Sequence, residues 1–259
     1  MLALLEELGL YVIRFFEYLG GLVNLLFEAL SWIAKGAIRF NLTVNQMAIL
    51  GVSSIGIVVI TCTFAGMVVS LQLADYAVRY GVTGYAGGAV ALSMAREFAP
   101  MLSAIVVAGR AGSAITAEIG SMKVTEQIDA LRVMGVSPAR YLVVPRFIAL
   151  LCMMPFLSTF AGLGGFLGGA LVAKAQANIQ YATFFDSATT TLVPWDIYAG
   201  LIKSAVFACE IALVACLQGL TTTGGAAGVG KATTTSVVNS MLLVFITNYF
   251  LSAWMFPPK

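Results

Sequence analysis

Long stretches without charge divide this chain. Residues 40–74, 147–173 and 232–258 contain no Asp, Glu, Lys or Arg. A helix that crosses a bilayer needs about 20 apolar residues, so each stretch is long enough. The segment 147–173 would extend roughly 40 Å as α-helix, which predicts tilt or a protruding end. Two more apolar stretches are interrupted by charge. One covers about 88–110 and holds Arg96 and Glu97; the other covers about 197–218 and holds Lys203 and Glu210. The pattern therefore predicts five spans, at about 45–75, 88–110, 144–173, 197–218 and 235–256.

Two other segments alternate in a different way. Leu4, Leu5, Leu8, Val12, Phe15, Phe16, Leu19 and Leu22 recur at helical spacing, interrupted by Glu6, Glu7, Arg14 and Glu17. This predicts an amphipathic helix lying in the membrane interface, with ordinary packing against the spans as the alternative. In 118–134, Ile119, Met122, Ile128, Leu131 and Met134 lie broadly along one helical face. Lys123, Glu126, Asp129 and Arg132 supply the polar remainder. This reads as one helix between two spans, ended by a left-handed cap at Gly135 and stopped by Pro138. By pattern it is either a solvated surface helix or a coupling helix that docks on a cytoplasmic partner. The fold class predicted is all-α integral membrane, with five transmembrane helices, an N-terminal interfacial helix and a cytoplasmic coupling helix.

Composition supports the membrane reading. Hydrophobic residues make up 60% of the 259 and charged residues 10%, against about 25% charged in soluble domains. Mean hydropathy is +0.95. A disordered chain, a coiled coil and a nucleic-acid binder are excluded, the last because it would carry a basic surface. Histidine is absent, which removes the commonest general base and transition-metal ligand. Cys62, Cys152, Cys209 and Cys216 stand in apolar runs without CxxC spacing, so they read as buried thiols. With the N-terminus inside, Arg14, Lys35, Arg39, Lys123, Arg132, Arg140, Arg146 and Lys231 fall on the cytoplasmic side; Arg79, Lys174 and Lys259 fall outside. The positive-inside rule favours that orientation. No segment outside the spans exceeds about forty residues, so energy is expected from a partner or an ion gradient.

The Gly164/Gly168 and Gly165/Gly169 pairs are small-xxx-small motifs that let helices approach closely, within one chain or between copies. From Gly225 the sequence nearly matches the P-loop pattern GxxxxGK[ST], but Ala232 stands where Ser or Thr would bind magnesium. A P-loop also needs a preceding strand. The segment therefore reads as a flexible cytoplasmic turn with one lysine. Charges inside spans are costly and face a cavity or a partner. Arg96 and Lys203 fall in the outer half, where they could hold an anionic head group. They could equally serve as structural ion pairs, for example Arg96 with Glu210. Pro100 frees backbone groups that must be satisfied nearby. A catalytic set cannot be assembled from these residues, so a membrane-embedded lipid enzyme is the weakest class. An ion- or proton-coupled transporter or channel using Arg96, Glu97, Lys203 and Glu210 remains an alternative.

Several segments together resemble the MlaE/YrbE permease family. They are Ala95-Arg96-Glu97-Phe98-Ala99-Pro100, Ala108-Gly109-Arg110-Ala111-Gly112-Ser113-Ala114, and the run from Ala117-Glu118-Ile119-Gly120 to Ala130-Leu131. Val144-Pro145-Arg146 and Gly228-Val229-Gly230-Lys231-Ala232-Thr233-Thr234 also look like that family. The resemblance runs from about residue 45 to the end. It implies an N-terminal helix region, 1–39, and a permease domain, 40–259. It implies a permease subunit of an ABC transporter that moves phospholipids or related lipids, a homodimer in the bacterial cytoplasmic (inner) membrane. Expected partners are a separate ABC ATPase, which uses ATP and magnesium, and an outer-side MCE-domain lipid-binding protein. This subunit itself is expected to be non-catalytic and to bind no cofactor, metal or nucleic acid. The lipid pocket is expected between the copies, which points to Val69, Gln72, Leu73, Tyr76, Tyr80, Arg96 and Glu97. Glu118, Lys123, Glu126, Gln127 and Asp129 are expected to couple to the ATPase.

Overall fold

The computed structural model describes residues 2–36 and 38–257, and in the N-terminal helix the side chains of Gly9, Ile13 and Phe16 onward. The stripe positions Leu4, Leu5, Leu8, Val12 and Phe15, with Glu6, Glu7 and Arg14, lie outside the described side chains, as does Lys259. The described residues form helices and no strand. We number them α1 (Leu2–Ala34), α2 (Phe40–Arg79), α3 (Thr83–Val124), α4 (Gln127–Val133), α5 (Ala139–Ala177), α6 (Tyr181–Thr191), α7 (Pro194–Leu220) and α8 (Gly225–Met255). The five long ones, α2, α3, α5, α7 and α8, are long and apolar enough to cross a membrane. Each is longer than its apolar stretch, because helical hydrogen bonding continues past the bilayer into polar flanks.

The centre of the fold is α7, whose most apolar window is 61% buried, against 22% for α2 and 17% for α8. Small residues make the crossings tight. A side chain on Gly66 of α2 would place its Cβ 2.0 Å from the carbonyl oxygen of Gly165 on α5. One turn on, the Ser70 hydroxyl donates to the Gly169 carbonyl at 2.7 Å. Gly164 and Gly168 face Thr63 of α2 as well. The glycine pairs therefore close a contact within one chain, where dispersion over short distances replaces the hydrophobic effect that lipid does not supply.

Three helices are interrupted in register. Wide π-turns occur at Met47–Gly51 in α2, at Met94–Phe98 and Ala108–Gly112 in α3, and at Ala139–Val143 in α5. Such turns rotate the following side chains relative to an ideal helix and are frequent at functional positions. At the N-terminal end of α3, Gly87 and Gly88 admit α6: Cβ atoms there would strike the Phe184 carbonyl and Thr191. The Gly88 N–H donates to the Ser187 hydroxyl at 2.9 Å. This short helix lies between two spans and has no counterpart in the apolar pattern.

Helix α1 packs against the spans over its second half. Leu22, Leu25 and Ala29 are buried, and Leu217 of α7 packs on Gly21. Phe16 and Phe27 are exposed on the other side. Trp32 lies under the cations of Lys35 and Arg140, and Arg39 lies over Tyr141. The aromatic faces thus tie α1 to the start of α5.

The segment 118–134 is not a single helix. Span α3 continues to Val124, and the chain breaks at Thr125–Glu126 before α4 begins. Glu126 adopts φ 61°, a left-handed conformation that costs a residue with a Cβ on the order of 1 kcal/mol. The Gly135 cap forms as expected: its φ is 73°, its N–H donates to the Arg132 carbonyl, and the Val136 N–H donates to Leu131. Residues 225–231 are also helical, as the first turns of α8, where a flexible turn is expected from sequence. Gly224 opens that helix at φ 87°.

Candidate functional site

The π-turn at Met94–Phe98 is followed at once by Pro100. Proline has no N–H, so the carbonyl four residues earlier, on Arg96, loses its helical donor. The Lys203 ammonium of α7 takes that carbonyl at 2.9 Å. The freed backbone group expected at Pro100 is thereby satisfied by a side chain from another span.

Lys203 is fully buried. Its Nζ also lies 2.7 Å from Glu97 Oε1 and donates to the Ser252 hydroxyl at 2.7 Å. From α8, Asn248 Nδ2 donates to Glu97 Oε2 at 2.9 Å, and the Ser252 hydroxyl lies 2.9 Å from Oε1. Both carboxylate oxygens of Glu97 are therefore engaged by α7 and α8. A charge pair inside a bilayer persists only when its remaining hydrogen-bonding capacity is met in this way.

Arg96 points to a different acid. Its Nε and Nη2 both lie 2.7 Å from Oδ1 of Asp196, which is buried in the first turn of α7. The other oxygen, Oδ2, accepts the Val193 N–H at 3.0 Å, closing the start of that helix. The guanidinium carbon sits 4.2 Å from the Phe256 ring centroid. The pairing of Arg96 with Glu210 does not occur. Glu210 lies about two turns beyond Lys203 on α7, with Thr247 of α8 as its polar neighbour, and Oε2 has no hydrogen-bond partner. The reason is rotational: the π-turn directs Arg96 toward the α7 N-terminus and Glu97 toward Lys203.

A cavity of about 460 Å³ opens beside this cluster, lined by Leu92, Ser93, Arg96, Glu97, Tyr249, Ser252, Ala253 and Phe256. Gln72 and Tyr76 line a second cavity of about 430 Å³ between the C-terminal ends of α2 and α5, with Asp75, Gln176 and Asn178. Leu73 packs on the core, Val69 is half-buried and Tyr80 is exposed. Within one chain, the residues expected to form one lipid pocket are thus split between two places.

On the opposite end, Glu118 pairs with the buried Arg146 at 2.7 Å, and Arg146 also donates to the Leu142 carbonyl. Lys123 pairs with Asp129 at 2.9 Å, and Arg132 lies 3.2 Å from the same carboxylate. The hydrogen bond from Lys123 holds the Asp129 carboxyl below its ordinary range, and the charges of Lys123 and Arg132 act in the same direction. Glu126 is exposed, and Gln127 donates only to Thr125 at 3.0 Å. Val133 and Met134 are strongly exposed beside them.

Asp196, Asn248, Ser252 and Phe256 are the site residues that sequence reasoning missed. A signal existed for two of them: Asn248 and Ser252 stand four residues apart, on one helical face of a charge-free span. Asp196 gave none, because its partner is 100 residues away.

An all-α bundle with five helices long and apolar enough to cross a membrane, joined by buried ion pairs, defines a multi-pass membrane protein. The family model described as Permease MlaE matches residues 43–254, and the chain belongs to this family. A probable ABC transporter permease protein of Synechocystis sp. is 46% identical over 224 residues, covering 86% of this chain and 85% of the relative. The intermembrane phospholipid transport system permease protein MlaE of Haemophilus influenzae is 40% identical over 256 residues, covering 97% of both. The chloroplastic protein trigalactosyldiacylglycerol 1 of Arabidopsis thaliana is 42% identical; the match covers 86% of this chain and 64% of that protein. The chain is therefore a permease of the ABC transporter type, and that family membership implies an ATPase partner.

Proposed function

We propose that this chain is the membrane subunit through which an ABC transporter moves phospholipids between the cytoplasmic membrane and an MCE-domain lipid carrier on the outer side. The observation that carries the reading is the Arg96–Asp196 and Glu97–Lys203 cluster beside a cavity at the outer ends of α7 and α8. Arg96 keeps about a third of its side chain exposed although its partner is buried. It can therefore offer donors to an anionic head group without abandoning Asp196. The name of the Haemophilus relative supports the substrate class.

The working unit is a homodimer in the bacterial inner membrane. Two copies bring the Gln72–Tyr76 wall, with Val69, Leu73 and Tyr80, and the Arg96–Glu97 cluster into one shared lipid cavity. ATP and magnesium act on the separate ATPase, and this chain binds neither. Docking on the ATPase uses the α3–α4 corner. Glu126 and Gln127 offer exposed polar groups there, while Glu118, Lys123 and Asp129 hold the corner rigid through internal pairs.

The test is purification with the co-expressed ATPase, followed by ATP-dependent lipid transfer from vesicles to an acceptor. Stoichiometric co-purification and ATP-dependent transfer are expected. Ion conduction or lipid exchange by this chain alone would overturn the reading. The head-group role is checked separately by mass spectrometry of retained lipid. Arg96→Gln combined with Asp196→Asn, which leaves no buried charge unpaired, should lose most bound phospholipid, whereas Arg79→Ala should keep it.

A further inference from the structure

A third cavity lies on the other side of the same π-turn. It has a volume of about 330 Å³ and is enclosed by α3, α5, α6 and α7. Buried Ala91, Met94, Ala99, Ser158, Ala188 and Gly200 form its floor. Exposed Leu163, Phe185 and Ile197 form its rim. Small side chains on α3 and Gly162 on α5 leave the space, and α6 closes one end. The Phe166 ring braces that end, with centroids 5.2 Å from both Phe184 and Phe185.

The lining decides what can enter. No charged side chain faces this cavity. Of its three hydroxyls, Thr159 donates to the Pro155 carbonyl and Thr189 to the Asp186 carbonyl within their own helices, which leaves the Ser158 hydroxyl as the one free polar group on an otherwise apolar wall. A polar ligand or a head group would lose its hydration there with only that hydroxyl in compensation. Water does not fill apolar cavities of this kind. An unfilled cavity forfeits dispersion contacts along its whole wall. The walls belong to three helices long and apolar enough to cross a membrane, and the rim is exposed and apolar, a surface suited to lipid tails.

We propose that this cavity binds one acyl chain of a membrane phospholipid, as a lateral site in each copy, separate from the Arg96–Glu97 cavity. The two sites share a wall. Met94 and Ala95 face the apolar cavity, while Arg96 and Glu97, next in the same π-turn, face the charged cluster. A chain in the lateral site therefore holds the turn that orients the charged pair. The Gly200–Ala95 contact reinforces this wall: a Cβ on Gly200 would lie 2.3 Å from the Ala95 carbonyl oxygen.

The site is tested with the full chain in phosphatidylcholine–phosphatidylglycerol vesicles that contain a phosphatidylcholine with a mid-chain diazirine. Irradiation is followed by peptide mass spectrometry. Because neither ATP nor an ATPase is present, the outcome is independent of the transport reading. Labelling of peptides carrying Met94, Leu163 or Phe185 is expected to saturate with probe fraction. It should exceed by several-fold the labelling at Leu171, an exposed position of the same span. Excess straight-chain phosphatidylcholine should compete, and the bulkier phytanoyl-chain form should not. Gly162→Leu and Ala188→Leu should each reduce cavity labelling at least fivefold and leave Leu171 labelling unchanged. Linear labelling equal to that at Leu171, or competition by both lipids alike, overturns the proposal without reference to the variants. So does full labelling in both variants when they keep the parent melting temperature.

Discussion

Pro100 and Lys203 are two halves of one device. The proline leaves the Arg96 carbonyl without its helical donor, and the ammonium supplies the replacement while pairing with Glu97. Neither residue would be tolerated alone at this depth, since an unmet carbonyl or an unpaired cation is costly in hydrocarbon. Lys203→Met is therefore expected to cost about 3–5 kcal/mol, the range for breaking one side of a buried pair. The double variant Lys203→Met with Glu97→Gln should recover at least half of that loss. Denaturation of the purified protein in detergent measures both, and additive effects of the two substitutions would show that the pair is not a unit. Of this arrangement, the sequence shows the charged residues and the proline. It does not show which acid meets which base, because a π-turn rotates the side chains that follow it and the hydropathy pattern does not reveal where one occurs.

At the scale of the helix, small residues set the distance between α2 and α5. Gly66 meets backbone, whereas Gly56 in the same helix has open space around its Cβ position. The two positions separate packing from propensity. Gly66→Ala should destabilise by about 1–3 kcal/mol through overpacking. Gly56→Ala should be neutral or stabilising by up to about 1 kcal/mol, because alanine is the better helix former. Melting temperatures of the two variants decide it, and equal shifts would show that the crossing relaxes freely. The glycine motif is plain in the sequence, but whether it joins α5 to its own chain or to a second copy is not. The break at Thr125–Glu126 was hidden for a related reason. The apolar face of 118–134 keeps its spacing across the break, and a left-handed glutamate has no compositional signature.

At the scale of the molecule, burial is uneven. The α8 window is the least buried of the five spans, and Leu242, Phe245, Ile246 and Tyr249 stand exposed along it. This face borders the cavity at Arg96, through Tyr249 and Phe256. In the proposed homodimer it is the natural meeting surface, because two copies joined there enclose the charged cluster between them. Leu242→Arg should then shift the detergent-solubilised protein from dimer to monomer in native mass spectrometry. An unchanged mass distribution would place the contact on another face, such as that of α2.

The sequence by itself determined the number of spans, the all-α class and the placement of most positive charge on one side. These follow from hydropathy and loop charge, which are local properties that no tertiary contact can reverse. It also determined the cap at Gly135, where one residue type meets one backbone geometry. The tertiary structure alone decided the rest. It paired Arg96 with Asp196 across 100 residues, gave Lys203 to Glu97 and to the Arg96 carbonyl, and folded α6 over Gly87 and Gly88. The physical reason is the same throughout: in a medium without water, each polar group must find its partner inside the protein. Only the packed arrangement of spans fixes which partner lies within reach.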